Sequence, residues 1–184
     1  MEQKSTFWKS AMTHGLYLGV ALILYGVIIY VAGENTNKSL GLISYAIMAA
    51  GVVYAQINYR NHELNGFISY GQSLGYGIVV MLFAGILNSL YSIILFTYID
   101  PGLIDQIRIA QEEVMMARGM SDEQIELTGR LTAKMMTPGW MAISGLFAFG
   151  LIGLIISLIS SIFVKKQDDE HAFEDAMTEI KSDE

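Results

Sequence analysis

The sequence predicts an all-α integral membrane protein: a four-helix bundle with two short amphipathic extramembrane helices between spans 3 and 4. Three observations carry that expectation. Four apolar stretches each reach about 20 residues, enough to cross a bilayer's hydrocarbon at about 1.5 Å per helical residue. Of 184 residues, 53% are hydrophobic, with a mean hydropathy of +0.43. The acids avoid the stretches, since 99–137 holds seven against four bases and 165–184 holds eight against three. These numbers divide the chain into a membrane domain, 1–164, and an acidic tail, 165–184.

Span 1, 8–32, follows Lys4 and Lys9 as a signal peptide would, and Val31-Ala32-Gly33 resembles a small-residue cleavage site. At about 25 residues it exceeds the roughly 7–15 of a signal-peptide core, so it reads as a retained span. The turn-formers Gly33-Glu34-Asn35-Thr36-Asn37-Lys38 allow a tight reversal into an antiparallel span 2, 40–59. Arg60-Asn61-His62-Glu63-Leu64-Asn65-Gly66 is a second short polar connection, and span 3 follows at 70–98.

Asp100-Pro101 reads as an N-cap followed by proline at the first helical position. The helix it opens carries Ile104, Ile107, Val114 and Met115 among Asp105, Arg108, Gln111, Glu112 and Arg118, an amphipathic pattern with Gly119 as its stop. Ser121 and Gln124 fit a capping box at the start of a second short helix, 122–136, with Ile125, Leu131 and Met135 on one side. Thr137-Pro138 repeats the cap-then-proline signature, and span 4 runs 139–164. In the tail, Phe173, Ala176, Met177 and Ile180 have the spacing of one more amphipathic helix.

Short-loop cations orient such proteins. Lys4, Lys9, Arg60, Lys165 and Lys166 lie on the side of both termini, against Lys38 and Lys134 near spans on the other, so both termini are expected in the cytoplasm. Trp8, Tyr59, Tyr70, Tyr98 and Trp140 stand near span ends as interface anchors.

Lipid tails are as apolar as leucine, so spans associate through close contact of small residues and interhelical hydrogen bonds. Gly15, Gly19 and Gly26 share one face of span 1, and Ser44, Gly51, Ala55 and Asn58 form a similar stripe in span 2. Gly77, Ala84, Gly85, Asn88 and Ser92 do so in span 3, as do Gly150, Gly153, Ser157 and Ser161 in span 4. The Gly15/Gly19 spacing also fits a helix-dimer motif, leaving a homodimer open beside packing within one bundle.

Candidate sites are few. Asn88 lies deep in span 3 with Ser92 one turn on; together with His14 they suggest a polar path, against the alternative of a single interhelical hydrogen bond. The spans contain no internal Asp, Glu, Lys or Arg to partner His14, which argues against ion-coupled transport. His62 beside Glu63 has no third ligand nearby, and zero cysteines exclude disulfides and thiol chemistry. Met115, Met116, Met120 and Met135, with Met136, give the excursion an adaptable apolar surface suited to a partner, to the bundle's own end or to the bilayer. No metal or cofactor set stands out, and no basic cluster points to nucleic acid.

Asn65-Gly66-Phe67-Ile68-Ser69-Tyr70-Gly71-Gln72-Ser73-Leu74-Gly75-Tyr76-Gly77 and Tyr98-Ile99-Asp100-Pro101 resemble the bacterial membrane family called domain of unknown function 4199. The resemblance covers about 4–164 and implies a multipass bacterial membrane protein; it implies no reaction and transfers no catalytic residue. From the residues alone we expect a non-enzymatic component that binds or stabilises a membrane-protein partner or a second copy of itself. A small transporter or channel-like protein using Asn88 and Ser92 is the alternative. An enzyme would need the polar groups of 60–66 to converge with acids of the excursion at one membrane face.

Overall fold

The computed structural model describes residues 2–34, 37–133 and 135–166. The tail pattern at Phe173, Ala176, Met177 and Ile180, with Asn35, Thr36 and Lys134, lies outside the described residues. The chain forms α1 (Glu2–Val31), α2 (Lys38–Glu63), α3 (Tyr70–Ile94), α4 (Leu103–Ala117), α5 (Asp122–Ala133) and α6 (Pro138–Val164). Four of these helices are long and apolar enough to cross a membrane, so this is a multipass membrane protein.

Local chemistry sets the ends. Gly33 (φ +72°) and Gly119 (φ +78°) close α1 and α4 in the left-handed conformation that glycine adopts without steric cost. At each, two amides reach back to the last turn, Gly33 to Tyr30 and Glu34 to Ile29, then Gly119 to Met116 and Met120 to Met115. The Ser121–Gln124 box is formed, and Thr137 caps α6 ahead of Pro138. A second box, Ser69 with Gln72, starts α3.

The Asp100 cap is a correction. The third span ends in a single π-helical turn, Leu95–Ile99, and α4 starts at Leu103 behind Gly102, with no side-chain cap. Asp100 instead accepts a hydrogen bond from the Tyr30 hydroxyl at 3.3 Å. The widened π turn and the Asp100–Leu103 turn take the chain out of the bundle before a helix can restart, which moves the start past proline.

Helix α3 is the hub, packed along α1 on one side and α6 on the other. Against α6 it runs antiparallel in steps of one turn. Ser161 bonds Ser73, and the next three contacts put Gly77 at Ser157, Met81 at Gly153 and Gly85 at Phe149. A Cβ on Gly85 would lie 2.8 Å from Phe149 Cβ, and one on Gly153 2.6 Å from Met81 Cβ. Each glycine thus admits a partner that any side chain would exclude. Against α1 the crossing is as close, because a Cβ on Gly15 would meet the Val80 carbonyl at 2.7 Å and one on Gly19 the Ala84 Cα at 3.3 Å. Gly51 of α2 receives Leu18 in the same way.

Gly26 differs from its predicted place on that packing face. Nothing lies within 4 Å of its would-be Cβ, and it borders a cleft of about 290 Å³ near the far end of the bundle. The first turn of α2 is tied to α1 there by the Tyr25 hydroxyl, which donates to the Leu40 carbonyl at 2.7 Å, while Gly41, Leu42 and Ile43 stay exposed. The buried core therefore lies in the half nearer the N-terminus, around Leu18, Val52, Tyr76, Met81 and Ala84.

Candidate functional site

The buried polar groups gather at the bundle end that holds the start of α1 and the end of α6. On α1, Thr6, Lys9, Ser10, Thr13 and His14 follow the spacing of one helix face. They line a cleft of about 460 Å³ with Asn58 and Glu63 of α2. Behind it, Tyr76 is fully buried, stacked on Tyr59 with centroids 4.1 Å apart and planes 9° from parallel. Phe7 meets both rings edge-on. Tyr59, expected as an interface anchor, is 5% exposed and is corrected to a core residue, because α1 brings Phe7 across the place where lipid would stand. Trp8, Tyr98 and Trp140 do remain exposed.

His14 Nδ1 lies 2.9 Å from the Ser10 carbonyl and 2.9 Å from the Tyr76 hydroxyl, which is itself 2.9 Å from Ser10 Oγ, so one turn of α1 and Tyr76 of α3 share a closed polar cluster. His14 Nε2 has no hydrogen-bond partner among the described residues.

One turn deeper, Gln56 is fully buried, and its Nε2 donates to the Ser73 carbonyl at 3.0 Å and to Ser161 Oγ at 3.2 Å. The carbonyl fixes the amide's orientation, because a flipped Gln56 would set two acceptors together. Among the described residues, Gln56 Oε1 and Ser157 Oγ are buried without a hydrogen-bond partner. Arg60 donates to the Val164 carbonyl at 2.9 Å, satisfying the end of α6, and Ile68 exchanges two backbone bonds with Lys166.

Of the predicted polar-path residues, Asn88 and Ser92 are joined on α3 and His14 stands apart from them. Asn88 donates to the Ala84 carbonyl at 2.9 Å and to the Gly19 carbonyl of α1 at 3.3 Å, while Ser92 donates to its own helix at Asn88. His14 sits with Tyr76, more than three turns down α3 from Asn88. The residues that do meet were missed at the sequence level, although the polar face of α1 was legible as Thr6, Lys9, Ser10 and Thr13. Their partners Tyr76, Gln56 and Ser161 come from three other helices, and no local spacing announces them.

At the opposite end, α4 and α5 form a hairpin that packs chiefly on itself. Arg108 pairs with Asp105 and Glu112, and Arg130 with Glu126. Leu103 is buried and Ile107 joins it along the far cleft, beside Tyr25 and Phe96. Met116 and Ile125 line the groove between the two helices, whereas Met115 and Met120 are half-buried. Ile109, Met116, Leu127, Leu131 and Met135 are each at least half exposed. Among the described residues no three His, Cys, Asp or Glu side chains stand together to hold a metal.

No curated protein and no solved structure matches the chain. A family model does, over residues 13–166, a stretch that takes in α2 to α6 and the span in α1 from Thr13 onward. The chain belongs to the family described as protein of unknown function (DUF4199).

Proposed function

We propose that this protein is a non-enzymatic membrane component that binds a membrane-protein partner through the α4–α5 hairpin. The observation behind this reading is the contrast in packing: the spans close on one another through glycine and serine, while the hairpin leaves Ile109, Met116, Leu127, Leu131 and Met135 exposed. An adaptable, Met-bearing apolar surface suits a protein partner. The hairpin carries six acids from Asp105 to Glu126 against Arg108, Arg118 and Arg130, so two copies meeting through it would set like charges together. A partner with an apolar face rimmed by Lys or Arg fits better. In this reading the termini are cytoplasmic, the membrane is the bacterial inner membrane and the hairpin faces away from the cytoplasm, following the cations at Lys4, Lys9, Arg60, Lys165 and Lys166.

The test uses the cysteine-free background. Single cysteines at Leu127 or Leu131, crosslinked in native membranes, are expected to give a reproducible adduct that co-purifies in mild detergent. A strictly monomeric protein without an adduct overturns the proposal. Labelling of cysteines placed at Lys38, Asn61 and Gln124 reads the orientation; labelling of Asn61 alone from outside inverts it.

A further inference from the structure

We infer that the cleft between α1 and α2 binds the zwitterionic headgroup of an aminophospholipid. Lys9 and Glu63 face this cleft from different helices, and among the described residues neither forms an ion pair. A ligand carrying both signs would satisfy both. The remaining lining sets which signs and which atoms. Lys9 offers an ammonium to a phosphate oxygen, while the Glu63 carboxylate, which can only accept, asks for N–H donors, and Asn58 and His14 add polar groups beside them. A primary ammonium has three such donors; a quaternary one has none.

Depth and shape agree with a lipid source. Trp8, 55% exposed beside Lys9, marks the headgroup level where amphipathic rings sit. The polar face of α1 continues by helical steps from Thr13 to Tyr17, Val20 and Leu24, all exposed, so one helix face is polar at the interface and apolar below it. The wall behind the cleft is rigid, since Tyr76 is clamped between Tyr59, Ser10 and His14.

The experiment is native mass spectrometry of the full chain in detergent, titrated with dioleoyl phosphatidylethanolamine or dioleoyl phosphatidylcholine. The ethanolamine lipid is expected to be retained at least about fivefold more tightly, as charge-assisted bonds to a primary ammonium require. Glu63→Gln should bring the two lipids level, Lys9→Met should weaken both at least about fivefold, and Lys9→Arg should hold wild-type binding, separating loss of charge from loss of fold. Equal retention of the two lipids by the wild type, or an unchanged preference in Glu63→Gln, overturns the inference. Soluble O-phosphoethanolamine is the second arm. Failure to displace the lipid supports a membrane source, and displacement at matching concentration upholds the headgroup chemistry while overturning the lipid as its carrier.

Discussion

The two ends of this bundle are built from the same residue types and come out differently. At the N-terminal end, Gly15, Gly51 and Gly77 each accept a neighbouring helix within contact distance, and Gln56, Ser73, Ser157 and Ser161 are buried behind them. At the hairpin end, Gly26 and Gly41 face open space, and α2 meets α1 through the Tyr25 hydroxyl on the Leu40 carbonyl rather than through a glycine contact. A glycine on a helix face permits close approach without compelling it. What favours it in a bilayer is a second interaction to gain: at the N-terminal end the hydrogen bonds join Gln56, Ser73 and Ser161 across three helices, whereas the hairpin end has pairwise bonds, Tyr25 to the Leu40 carbonyl and Ser89 to the Ala142 carbonyl.

The comparison breaks most sharply at Gly77. Gly77→Leu would drive a side chain into Ser157 and the Gln56 amide, and we expect it to cost more than about 4 kcal/mol, the range reserved for core collapse. Loss of the thermal unfolding transition in detergent would show it; a transition within a few degrees of wild type would mean that α3 and α6 are not held at this crossing. Gly15→Ala comes next, at about 1–3 kcal/mol, because backbone at Val80 cannot yield as a side-chain tip can. Denaturant unfolding measures it.

Gly41→Ala should act in the opposite direction. With open space around its would-be Cβ, the substitution gains helix propensity and stabilises by up to about 1 kcal/mol; destabilisation would place a partner against that face. Tyr76→Phe is the smallest change, about 0.6 kcal/mol if its bonds are worth the average measured between membrane helices. Its sharper readout is His14, whose ring signals should shift when the Tyr76 hydroxyl is removed from Nδ1.

Much of the architecture was legible before any coordinates. The four spans follow from length and hydropathy, and Gly33, Gly119, Ser121 and Thr137 announced their turns and caps because a cap is a local contract between neighbours in sequence. Asp100 shows where that reasoning stops. Its residue type fits a cap, but the π turn at Leu95–Ile99 and the Tyr30 hydroxyl use it otherwise. The site was less legible. Asn88 is more conspicuous in the sequence than Gln56, yet Asn88 spends its amide on backbone carbonyls while Gln56 bridges α2, α3 and α6.

The sequence by itself determined the solvent of each segment, the number of crossings and the small-residue faces through which spans can meet, because all three depend on composition and helical period. Only the tertiary structure decided which faces close. It set Ser73 and Gly77 opposite Ser161 and Ser157, turned Tyr59 inward against Tyr76, left Gly26 unused and brought Lys9 and Glu63 to one cleft. Those outcomes depend on the register between helices far apart in the chain, which is set by interactions that no single helix contains.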